Sequence, residues 1–475
     1  MTAFSSSIAK NLVLNTDSYK ASHWGQYRPG ATATFSYAES RGGTYDRTVF
    51  FGLQTILKEY LSRTVSREDV EEAKALFEPH GVPFNFDGWM HVVEAHGGKL
   101  PVRICAVPEG MVVPTHNVLF TVESTDPRAF WLPSYLETLL LRVWYPTTVA
   151  TISWHIKRTI RRHLAETSDA PDGQLPFKLH DFGARGVSSL ESAALGGLSH
   201  LVNFMGSDTV AAVLAARAYY GEPMAAFSIP AAEHSTITSW GREGEVEAYR
   251  NMLRLFARPG KLVAVVSDSY DLFGALRTWG TTLKDEVIAS GATLVIRPDS
   301  GVPEDIVAQC AVALDGYFGS DVNGKGFKVL RHVRIIQGDG INEESIGRIL
   351  LRLRERGFSA DNVAFGMGGA LLQHMNRDTQ RFAMKCSAVL AEGRWFDVNK
   401  DPLTDPGKAS KKGRLSLYRS RATGALETRR IETTSAAEYD DVLVPVWENG
   451  ELLADWTLAE VRARAEEAGL PNAHR

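Results

Sequence analysis

The stretch KLVAVVSDSYDLFGALRTW, residues Lys261–Trp279, decides the fold class. It begins with a run of apolar and β-branched residues, which is typical of a buried strand. A break rich in Ser and Asp follows, and then a segment whose apolar residues recur at helical spacing. The stretch therefore predicts one βα unit, with the polar residues of the break at the end of the strand.

The same unit recurs along the middle of the chain. The other instances are FKLHDFGARGVSSLESAA (177–194), HLVNFMGSDTVAAVLAARAYY (200–220), FSIPAAEHSTITSW (227–240), TLVIRPDSGVPEDIVAQC (293–310), VRIIQGDGINEESIGRILLRL (333–353) and NVAFGMGGALLQHM (362–375). Strands that alternate with helices predict a parallel sheet, because each crossover helix returns the chain to the same end. Such units in series favour a barrel over a doubly wound sheet. The expected fold class is α/β: an irregular α/β barrel with an additional α+β lobe formed by the N-terminal and C-terminal segments.

The flanking segments have a different texture. Residues 1–150 mix β-like runs with helical stretches, one of which begins with Ser66 and Asp69 at capping-box spacing. Residues 388–475 return to mixed structure and end in a predicted helix. We expect an N-terminal lobe over 1–150, a barrel over 151–387, and a C-terminal segment over 388–475 that packs on the N-terminal lobe.

Composition narrows the function classes. The chain has 475 residues and a formal net charge of -4 with acids and bases interspersed, so no global field favours nucleic acid or a membrane surface. The cysteines Cys105, Cys310 and Cys386 lie far apart, which argues against a disulfide framework or a zinc motif and indicates a reducing compartment. No signal peptide or membrane span is recognisable, and we expect a cytoplasmic protein.

Charged side chains follow the ends of the predicted strands. The carboxyl ends of parallel barrel strands converge on one mouth, where helix N-termini also point. The residues expected there are His180, Asp181, Arg185, Asp208, Glu233, His234, Asp268, Asp271, Arg297, Asp299, Asp339 and the turn 366–369. Taken singly, Ser267, Asp299 or Asp339 is as readily a helix N-cap. Together the charges predict a binding site, because desolvated charges need partners.

Two glycine-rich breaks suggest a phosphate. GMGGA (366–370) suits a cradle in which backbone N–H groups approach an anion, although a tight turn remains an equal alternative. With QGDG (337–340) it resembles the phosphate site built by the last two units of many barrels. Arg297 offers a bidentate fork to phosphate, and Asp299 can accept from ribose hydroxyls. The predicted ligand is a phosphorylated sugar or nucleotide.

Several motifs resemble one family over nearly the whole chain. They are TDSYKASHWGQY (16–27), HDFGARG (180–186), GSD (206–208), PAAEHST (230–236), VSDSYD (266–271), IRPDSG (296–301), QGDG (337–340), GGALLQ (368–373) and SKKGRLSL (410–417). With them the chain resembles the nicotinamide phosphoribosyltransferases, the type II phosphoribosyltransferases of NAD salvage. The resemblance implies transfer of 5-phosphoribose from phosphoribosyl pyrophosphate to nicotinamide, giving nicotinamide mononucleotide and pyrophosphate.

The resemblance also implies roles for single residues in substrate binding. Phe182 stacks on the pyridine ring, and Tyr19 of the second subunit of a homodimer completes an aromatic sandwich. Asp208 accepts from the carboxamide and repels nicotinic acid. The remaining residues expected to bind ribose and its phosphate are Arg185, Ser267, Arg297, Gly338, Asp339, Gly368 and Gly369.

By the same resemblance, His234 is a catalytic histidine phosphorylated at the expense of ATP, and Glu233 and Asp271 orient its ring. Asp299 is a further catalytic residue, and with Asp271 it helps to hold the ribose. Mg²⁺ is expected together with substrate phosphates, and no dedicated all-protein metal site. Residues expected to gather the pyrophosphate or ATP phosphates are Arg41, Arg377, Lys385, Lys400 and Lys408. From the residues alone, the basic run around Lys408 reads more simply as a solvated linker.

The chain departs from the family at Ala184, where vertebrate members have a tyrosine beside the stacking Phe, and in GMGGA, which replaces a glycine-richer loop; we expect a wider or differently shaped base pocket. The nearest alternative is a nicotinate phosphoribosyltransferase, against which Asp208 argues. A catalytically silent scaffold predicts missing groups at the mouth. A Schiff-base lyase needs a lysine at a strand end, and Lys178 and Lys385 are the candidates.

Overall fold

The computed structural model describes residues 10–401, 404 and 410–467. They form two compact units. Unit 1 is built from residues within 1–151, 214–222 and 375–475, and unit 2 from 152–213 and 223–374. The sequence-based boundary at 387/388 falls inside a strand that belongs wholly to unit 1, whereas the boundary at 150/151 lies next to the observed division. Lys408 lies outside the described residues.

The strands, in chain order, are β1 Ala31–Ser40, β2 Arg47–Val49, β3 Val102–Ala106, β4 Val112–Pro114, β5 Val118–Ser124, β6 Leu179–Asp181, β7 Gly206–Ser207, β8 Leu262–Val266, β9 Thr293–Arg297, β10 Ser320–Val322, β11 Lys328–Leu330, β12 Val333–Gln337, β13 Val363–Met367, β14 Phe382–Ala391, β15 Arg394–Asp397, β16 Leu415–Ser420, β17 Leu426–Arg430, β18 Tyr439–Asp441, β19 Val444–Glu448 and β20 Glu451–Leu452.

The helices, in chain order, are α1 Leu53–Ile56, α2 Arg67–Phe77, α3 Phe86–His96, α4 Leu132–Tyr135, α5 Glu137–Leu140, α6 Trp144–Thr167, α7 Pro171–Gln174, α8 Leu190–His200, α9 Val210–Tyr220, α10 His234–Thr238, α11 Glu245–Phe256, α12 Leu272–Gly280, α13 Lys284–Ser290, α14 Pro303–Phe318, α15 Glu343–Glu355, α16 Gly369–Leu372 and α17 Leu458–Glu467. Among the described helices, none combines the length and apolar character needed to cross a lipid bilayer.

Unit 2 contains a parallel sheet of six strands in the order β7-β6-β13-β12-β9-β8. The sheet is curled, because Ala264 of β8, Val295 of β9 and Ile336 of β12 pack in one buried cluster with Phe182 and Ala364. These strands read as continuous apolar runs since both faces of a parallel sheet are covered. The prediction of an α/β fold with parallel strands is therefore confirmed.

The predicted unit FSIPAAEHSTITSW (227–240) contains no β-strand in the structure, so this part of the prediction was wrong. The segment 227–231 instead makes one parallel bridge to Gly206 on β7 and another to Ala264 on β8, the two edge strands. Pro230 explains the irregularity, because proline has no N–H to give to a ladder. Its carbonyl still accepts from the Ala264 N–H at 2.9 Å.

Unit 1 contains a mostly antiparallel sheet of seven strands in the order β15-β14-β1-β5-β3-β19-β20. Strand β1 pairs with β14 on one side and β5 on the other, and β19 pairs with β3. Strands from both ends of the chain thus share one sheet. α2 packs beside it and begins with the capping box predicted at Ser66, whose side chain and that of Asp69 bond each other's backbone N–H groups.

Candidate active site

Polar groups gather where the strands of the curled sheet end. Because the strands are parallel, the residues that follow β6, β7, β8, β9, β12 and β13 all emerge at the same edge. Those residues are Phe182, Asp208, Asp268, Asp299, Gly338 and Gly368, and His234 begins α10 directly after the bridging segment. The sequence prediction that they share one end of the sheet is what the geometry gives.

The imidazole of His234 lies between two carboxylates. Its Nε2 is 3.0 Å from Oδ1 of Asp268, and its Nδ1 is 3.9 Å from Oδ2 of Asp299. The ring is about half exposed, whereas the Asp268 side chain is 6% exposed. The histidine therefore presents one edge to solvent and anchors the other on a buried carboxylate.

Hydrogen bonds fix the Asp268 carboxylate. Its Oδ2 accepts from the Asp299 N–H at 3.0 Å and from Ser300 Oγ at 2.7 Å. Burial alone would raise the pKa of Asp268, but the hydrogen bonds from Ser300, His234 and the Asp299 N–H outweigh it and hold that pKa below its usual value. Since the ionised carboxylate can only accept, Nε2 of His234 is the donor. This leaves Nδ1 as the nitrogen with a free lone pair.

Arg297 and Asp299 form the next part of the site. Nη2 and Nε of Arg297 both donate to Oδ1 of Asp299, at 2.8 and 3.2 Å. The pair ties the end of β9 into a fixed arrangement and leaves Oδ2 of Asp299 on the His234 side. A Cβ on Gly338 would lie 3.7 Å from Nε of Arg297 and 3.5 Å from the Phe182 ring. The ends of β6, β9 and β12 therefore meet here.

The Phe182 ring rests against the backbone of Gly366. A Cβ at Gly366 would lie only 1.9 Å from Cε2 of Phe182, so any side chain there would displace the ring. The Phe182 N–H also donates to the Met367 carbonyl at 3.0 Å. The half-buried ring is thus held against β13, and glycine at 366 is what permits the close approach.

A backbone hydrogen bond places Asp208 next to Phe182. The Asp208 N–H donates to the carbonyl of Asp181, the residue before Phe182, at 3.0 Å. Ser228 Oγ donates to Oδ1 of Asp208 at 2.5 Å. The carboxylate is exposed, and Ser228 uses only one of its two oxygens, Oδ1. An amide group next to the ring could donate to it.

Several predicted residues have other partners. Asp271 is the N-cap of α12, where Oδ1 accepts from the Gly274 N–H at 3.1 Å. Glu233 precedes α10, accepts from Ser235 Oγ, and its N–H donates to Thr236 Oγ1. We predicted that these two carboxylates orient the His234 ring. Among the described contacts, neither reaches the imidazole, whereas Asp268 does, so we assign the orientation of the ring to Asp268.

Ser267 also differs from its predicted role. Its side chain is fully buried, accepts from Trp279 Nε1 at 3.2 Å and donates to the Val265 carbonyl at 3.0 Å. This hydroxyl is therefore occupied inside the protein. None of the three suspected N-caps acts as one, since α12, α14 and α15 are preceded by Asp271, Val302 and Asn342.

The glycine turn and its neighbours lie at the same edge. Gly368 precedes α16, and a Cβ there would be 3.6 Å from the Phe182 carbonyl. A Cβ on Gly186 would approach Gly369 to 3.7 Å, which brings the loop carrying Arg185 beside the turn. Arg185 and Asp339 are exposed. The arrangement offers backbone N–H groups and one guanidinium to an anion.

A cavity of about 360 Å³ lies towards the amino ends of the strands of the curled sheet. Val295, Ile336 and Ala364 form apolar walls, and His180 and Ser228 lie on its side nearest Asp208. Burial lowers the pKa of His180, so its ring is neutral at pH 7. The cavity therefore adjoins the exposed carboxylate that follows β7.

Lys178 lies at the opposite end of β6 from the site. Its Nζ donates to three carbonyls, those of Ala360, Asp361 and Val363, at 3.0 to 3.1 Å. Burial lowers the pKa of Lys178 to about 7, yet its hydrogens are all engaged. Lys385 is on β14 of unit 1 and pairs with Glu137 at 3.8 Å. Neither lysine has the setting of a Schiff-base catalyst at the carboxyl edge of the sheet.

The other residues expected to bind phosphates belong to unit 1, together with Tyr19. Tyr19 is 57% exposed and its ring is 4.9 Å from that of His23. Arg41 donates to Glu39 at 2.8 Å, Arg377 pairs with Asp378, and Lys400 is exposed. Their assignment to substrate phosphates, and that of Tyr19 to a second subunit's site, stay predictions.

Sequence reasoning missed the roles of Asp268 and Ser228. The sequence shows Asp268 as a charged residue after a predicted strand. Whether Asp268 or Asp271 contacts the His234 ring depends on which side chain faces it, and the sequence does not show this. Ser228 lies in the bridging segment, and no motif signalled its bond to Asp208. Both contacts join segments distant in sequence, 34 and 20 residues apart.

Comparison with known protein families gives two matches. Residues 177–442 match the nicotinate phosphoribosyltransferase (NAPRTase) family, and residues 11–104 match the nicotinamide phosphoribosyltransferase N-terminal domain. The chain is 66% identical to a nicotinamide phosphoribosyltransferase of Xanthomonas campestris pv. campestris (strain 8004), over 97% of this chain and 99% of that protein. It is 33% identical to one of Acinetobacter baylyi, over 94% and 95% of the two chains.

Solved structures share the fold at low identity. A nicotinate-nucleotide pyrophosphorylase from Pyrococcus furiosus superposes with a TM-score of 0.63 at 17% identity, covering 98% of each chain. Human nicotinic acid phosphoribosyltransferase gives a TM-score of 0.57 at 18% identity, covering 96% of this chain and 94% of that one.

Proposed function

This chain belongs to the nicotinate phosphoribosyltransferase family, within it to the nicotinamide phosphoribosyltransferases, and we propose from this membership how its site works. The enzyme is a pentosyltransferase that moves 5-phosphoribose from phosphoribosyl pyrophosphate to nicotinamide, giving nicotinamide mononucleotide and pyrophosphate in NAD salvage. The observation that carries the substrate assignment is the pairing of the Phe182 ring with the exposed, Ser228-anchored carboxylate of Asp208.

Nicotinamide binds with its pyridine ring on Phe182. The Gly366 backbone fixes the position of the partly buried phenyl ring, and stacking of the pyridine on it contributes about 0.5–1.5 kcal/mol beyond burial. The carboxamide NH₂ donates to Asp208. Nicotinic acid, whose carboxylate has no hydrogen to give, meets a like charge at the same place.

The ribose and its 5-phosphate bind at the ends of β9, β12 and β13. Arg297 is held by Asp299 with its fork towards Gly338, where the absence of a side chain leaves room for a sugar. The turn at Gly368 and Gly369, with Arg185 beside it, supplies donors for the phosphate. Asp339 and Asp299 accept from ribose hydroxyls.

His234 is phosphorylated by ATP on Nδ1. Asp268 accepts a hydrogen bond from the Nε2–H group, holds the ring and stabilises the positive charge that develops on the ring when Nδ1 attacks the γ-phosphorus. The bond formed is Nδ1–P, and the bond broken is the one from the γ-phosphorus to the bridging oxygen, which leaves with ADP. The half-exposed ring gives a nucleotide access to Nδ1.

The donor set around His234 suits Mg²⁺. Oδ2 of Asp299 is the oxygen that Arg297 does not use, and oxygen ligands from one or two carboxylates plus phosphates are what this ion takes. When bound, Mg²⁺ neutralises charge on the departing pyrophosphate. The protein's own groups position the nicotinamide nitrogen against C1 of the ribose and place carboxylates near the cationic sugar.

We further propose that the enzyme works as a homodimer. Tyr19, exposed in the described chain, stacks on the nicotinamide bound to the second subunit. Arg41, Arg377, Lys385, Lys400 and Lys408 then bind the pyrophosphate or the ATP phosphates.

Two measurements test the proposal. The purified enzyme should form nicotinamide mononucleotide from nicotinamide and phosphoribosyl pyrophosphate far faster than it forms the acid analogue from nicotinic acid. A preference for nicotinic acid would overturn the substrate assignment. Incubation with labelled ATP should place acid-labile phosphate on His234 in the wild type and none in His234→Asn. Unchanged labelling of that variant would overturn the phosphohistidine.

A further inference from the structure

Two histidines and an aspartate meet in unit 1, in the half-buried cluster formed by His91, His96 and Asp126. Nε2 of His91 is 3.0 Å from Oδ2 of Asp126, and Nε2 of His96 is 2.8 Å from the same oxygen. The three ligand atoms all lie within 4.8 Å of one another. The two rings stand nearly perpendicular, at 87°, so both nitrogens converge on one point rather than stacking.

The three residues come from two elements held in place by core packing. His91 and His96 belong to α3, whose Trp89 is fully buried against Trp131. Asp126 lies after β5, and its Oδ1 accepts from the Arg128 N–H at 2.6 Å. This bond aims Oδ2 at the imidazoles. A hydrogen bond of this kind to the outer oxygen is how proteins orient a metal-ligating carboxylate.

We propose that His91, His96 and Asp126 bind a divalent transition-metal ion of the zinc class. Imidazole nitrogens and one carboxylate suit Zn²⁺, Co²⁺ or Ni²⁺, whereas Mg²⁺ and Ca²⁺ take oxygen ligands. Bonds of about 2.1 Å in a tetrahedron separate ligand atoms by about 3.4 Å. The present nitrogen–oxygen distances are 2.8 and 3.0 Å, so small side-chain shifts admit the ion.

Charge and access agree with this assignment. Two imidazoles, which bind metals in their neutral form, and one carboxylate would bring a single negative charge to the ion. The side chains of His91, His96 and Asp126 are 11%, 27% and 18% exposed. An ion can therefore enter from solvent, and a water completes a fourth position.

The ion has a structural consequence in this place. It joins the C-terminal end of α3 to the turn after β5, two elements 30 to 35 residues apart in the chain. Binding to the folded state alone raises stability by mass action. The site involves none of the residues assigned above to catalysis or substrate binding, so metal occupancy and transfer chemistry are separable in experiment.

The test is metal binding by tag-free, chelator-treated enzyme. Wild type should bind one tight Zn²⁺ per chain by calorimetry, show the visible absorption of four-coordinate Co²⁺, and melt at higher temperature with Zn²⁺. His91→Asn and His96→Asn should each weaken this binding about tenfold or more. Asp126→Asn should do the same while its side-chain oxygen still accepts from Arg128.

Matched controls separate the site from other binders. His80→Asn removes an exposed histidine of the same unit, and His234→Asn removes the imidazole of the transferase site; both should keep the tight ion. Circular dichroism and nicotinamide turnover of the cluster variants show that they fold. If wild type holds no tight ion, or if the His91 and His96 variants hold it as well as wild type, the proposal is overturned.

Discussion

Asp268 holds the imidazole of His234 by a 3.0 Å contact between Oδ1 and Nε2, and the bond joins the end of β8 to the first residue of α10. Because the carboxylate is buried and ionised, it decides which nitrogen carries the proton. The free lone pair then lies on Nδ1, next to Asp299. The nucleophile that we propose for the ATP reaction, Nδ1 of His234, is thus oriented by Asp268, a residue that the family resemblance did not identify.

Asp268→Asn should lower the rate of His234 phosphorylation about tenfold to a hundredfold, because the amide can favour the wrong tautomer and no longer balances the imidazolium. Rapid-quench labelling with ATP measures this rate. Asp271→Asn is the matched control, since its amide can still cap α12; it should leave the rate nearly unchanged. Equal losses in both variants would contradict the role given to Asp268.

Asp208→Asn should reduce the preference for nicotinamide over nicotinic acid by about tenfold or more. Two unit charges about 4 Å apart at an effective dielectric constant of about 20 repel by roughly 4 kcal/mol, and the substitution removes this term. The ratio of kcat/KM values for the two pyridines is the readout. Asp172→Asn removes an exposed charge elsewhere and should leave the ratio unchanged. An unaltered ratio in Asp208→Asn would contradict the proposal that the charge of Asp208 excludes nicotinic acid.

Gly366→Ala should raise the KM for nicotinamide and destabilise the enzyme by about 1–3 kcal/mol, since the new Cβ would lie 1.9 Å from the Phe182 ring and must displace it. Steady-state kinetics and chemical unfolding measure the two effects. Gly173→Ala is the control, because open space surrounds that position and its backbone accepts alanine. A Gly366→Ala enzyme with normal KM would show that the ring position does not matter.

The Asp268 carboxylate should also make stability depend on pH. Its folded pKa lies below the ordinary 3.8, so the folded state favours the ionised form. This contribution is fully present above the unfolded pKa and is lost as pH falls through the folded pKa. The difference in unfolding free energy between wild type and Asp268→Asn should therefore be flat from about pH 5 to 7 and shrink below about pH 4. A difference that grows towards acid pH would reverse the sign.

Much of the fold follows from local sequence patterns. The capping box at Ser66 and the predicted βα units are local signals, and the structure contains that box and a strand in six of the seven units. The strand expected at FSIPAAE is missing because Pro230 cannot join a ladder, a rule the apolar run concealed. The residues of the candidate site could be selected from the sequence, because the carboxyl ends of parallel strands lie at the same end of the sheet.

Which of two neighbours faces the site could not be read from the chain. Ser267 and Asp268 are adjacent after β8, and side chains of adjacent extended residues point to opposite sides. In the structure Ser267 turns inward to Trp279 while Asp268 turns to His234. The curl of the sheet decides this, and it depends on contacts between segments far apart in sequence.

The bridging segment 227–231 has a consequence for how this protein behaves among other proteins. Open strand edges are templates for intermolecular pairing and fibril growth, and natural sheets conceal them. Here the segment 227–231 forms bridges to both edge strands, β7 and β8. Its proline has no N–H group and cannot donate a hydrogen bond to a further strand. The segment that precedes His234 therefore covers part of both edge strands and leaves less of this sheet open to pairing with another chain.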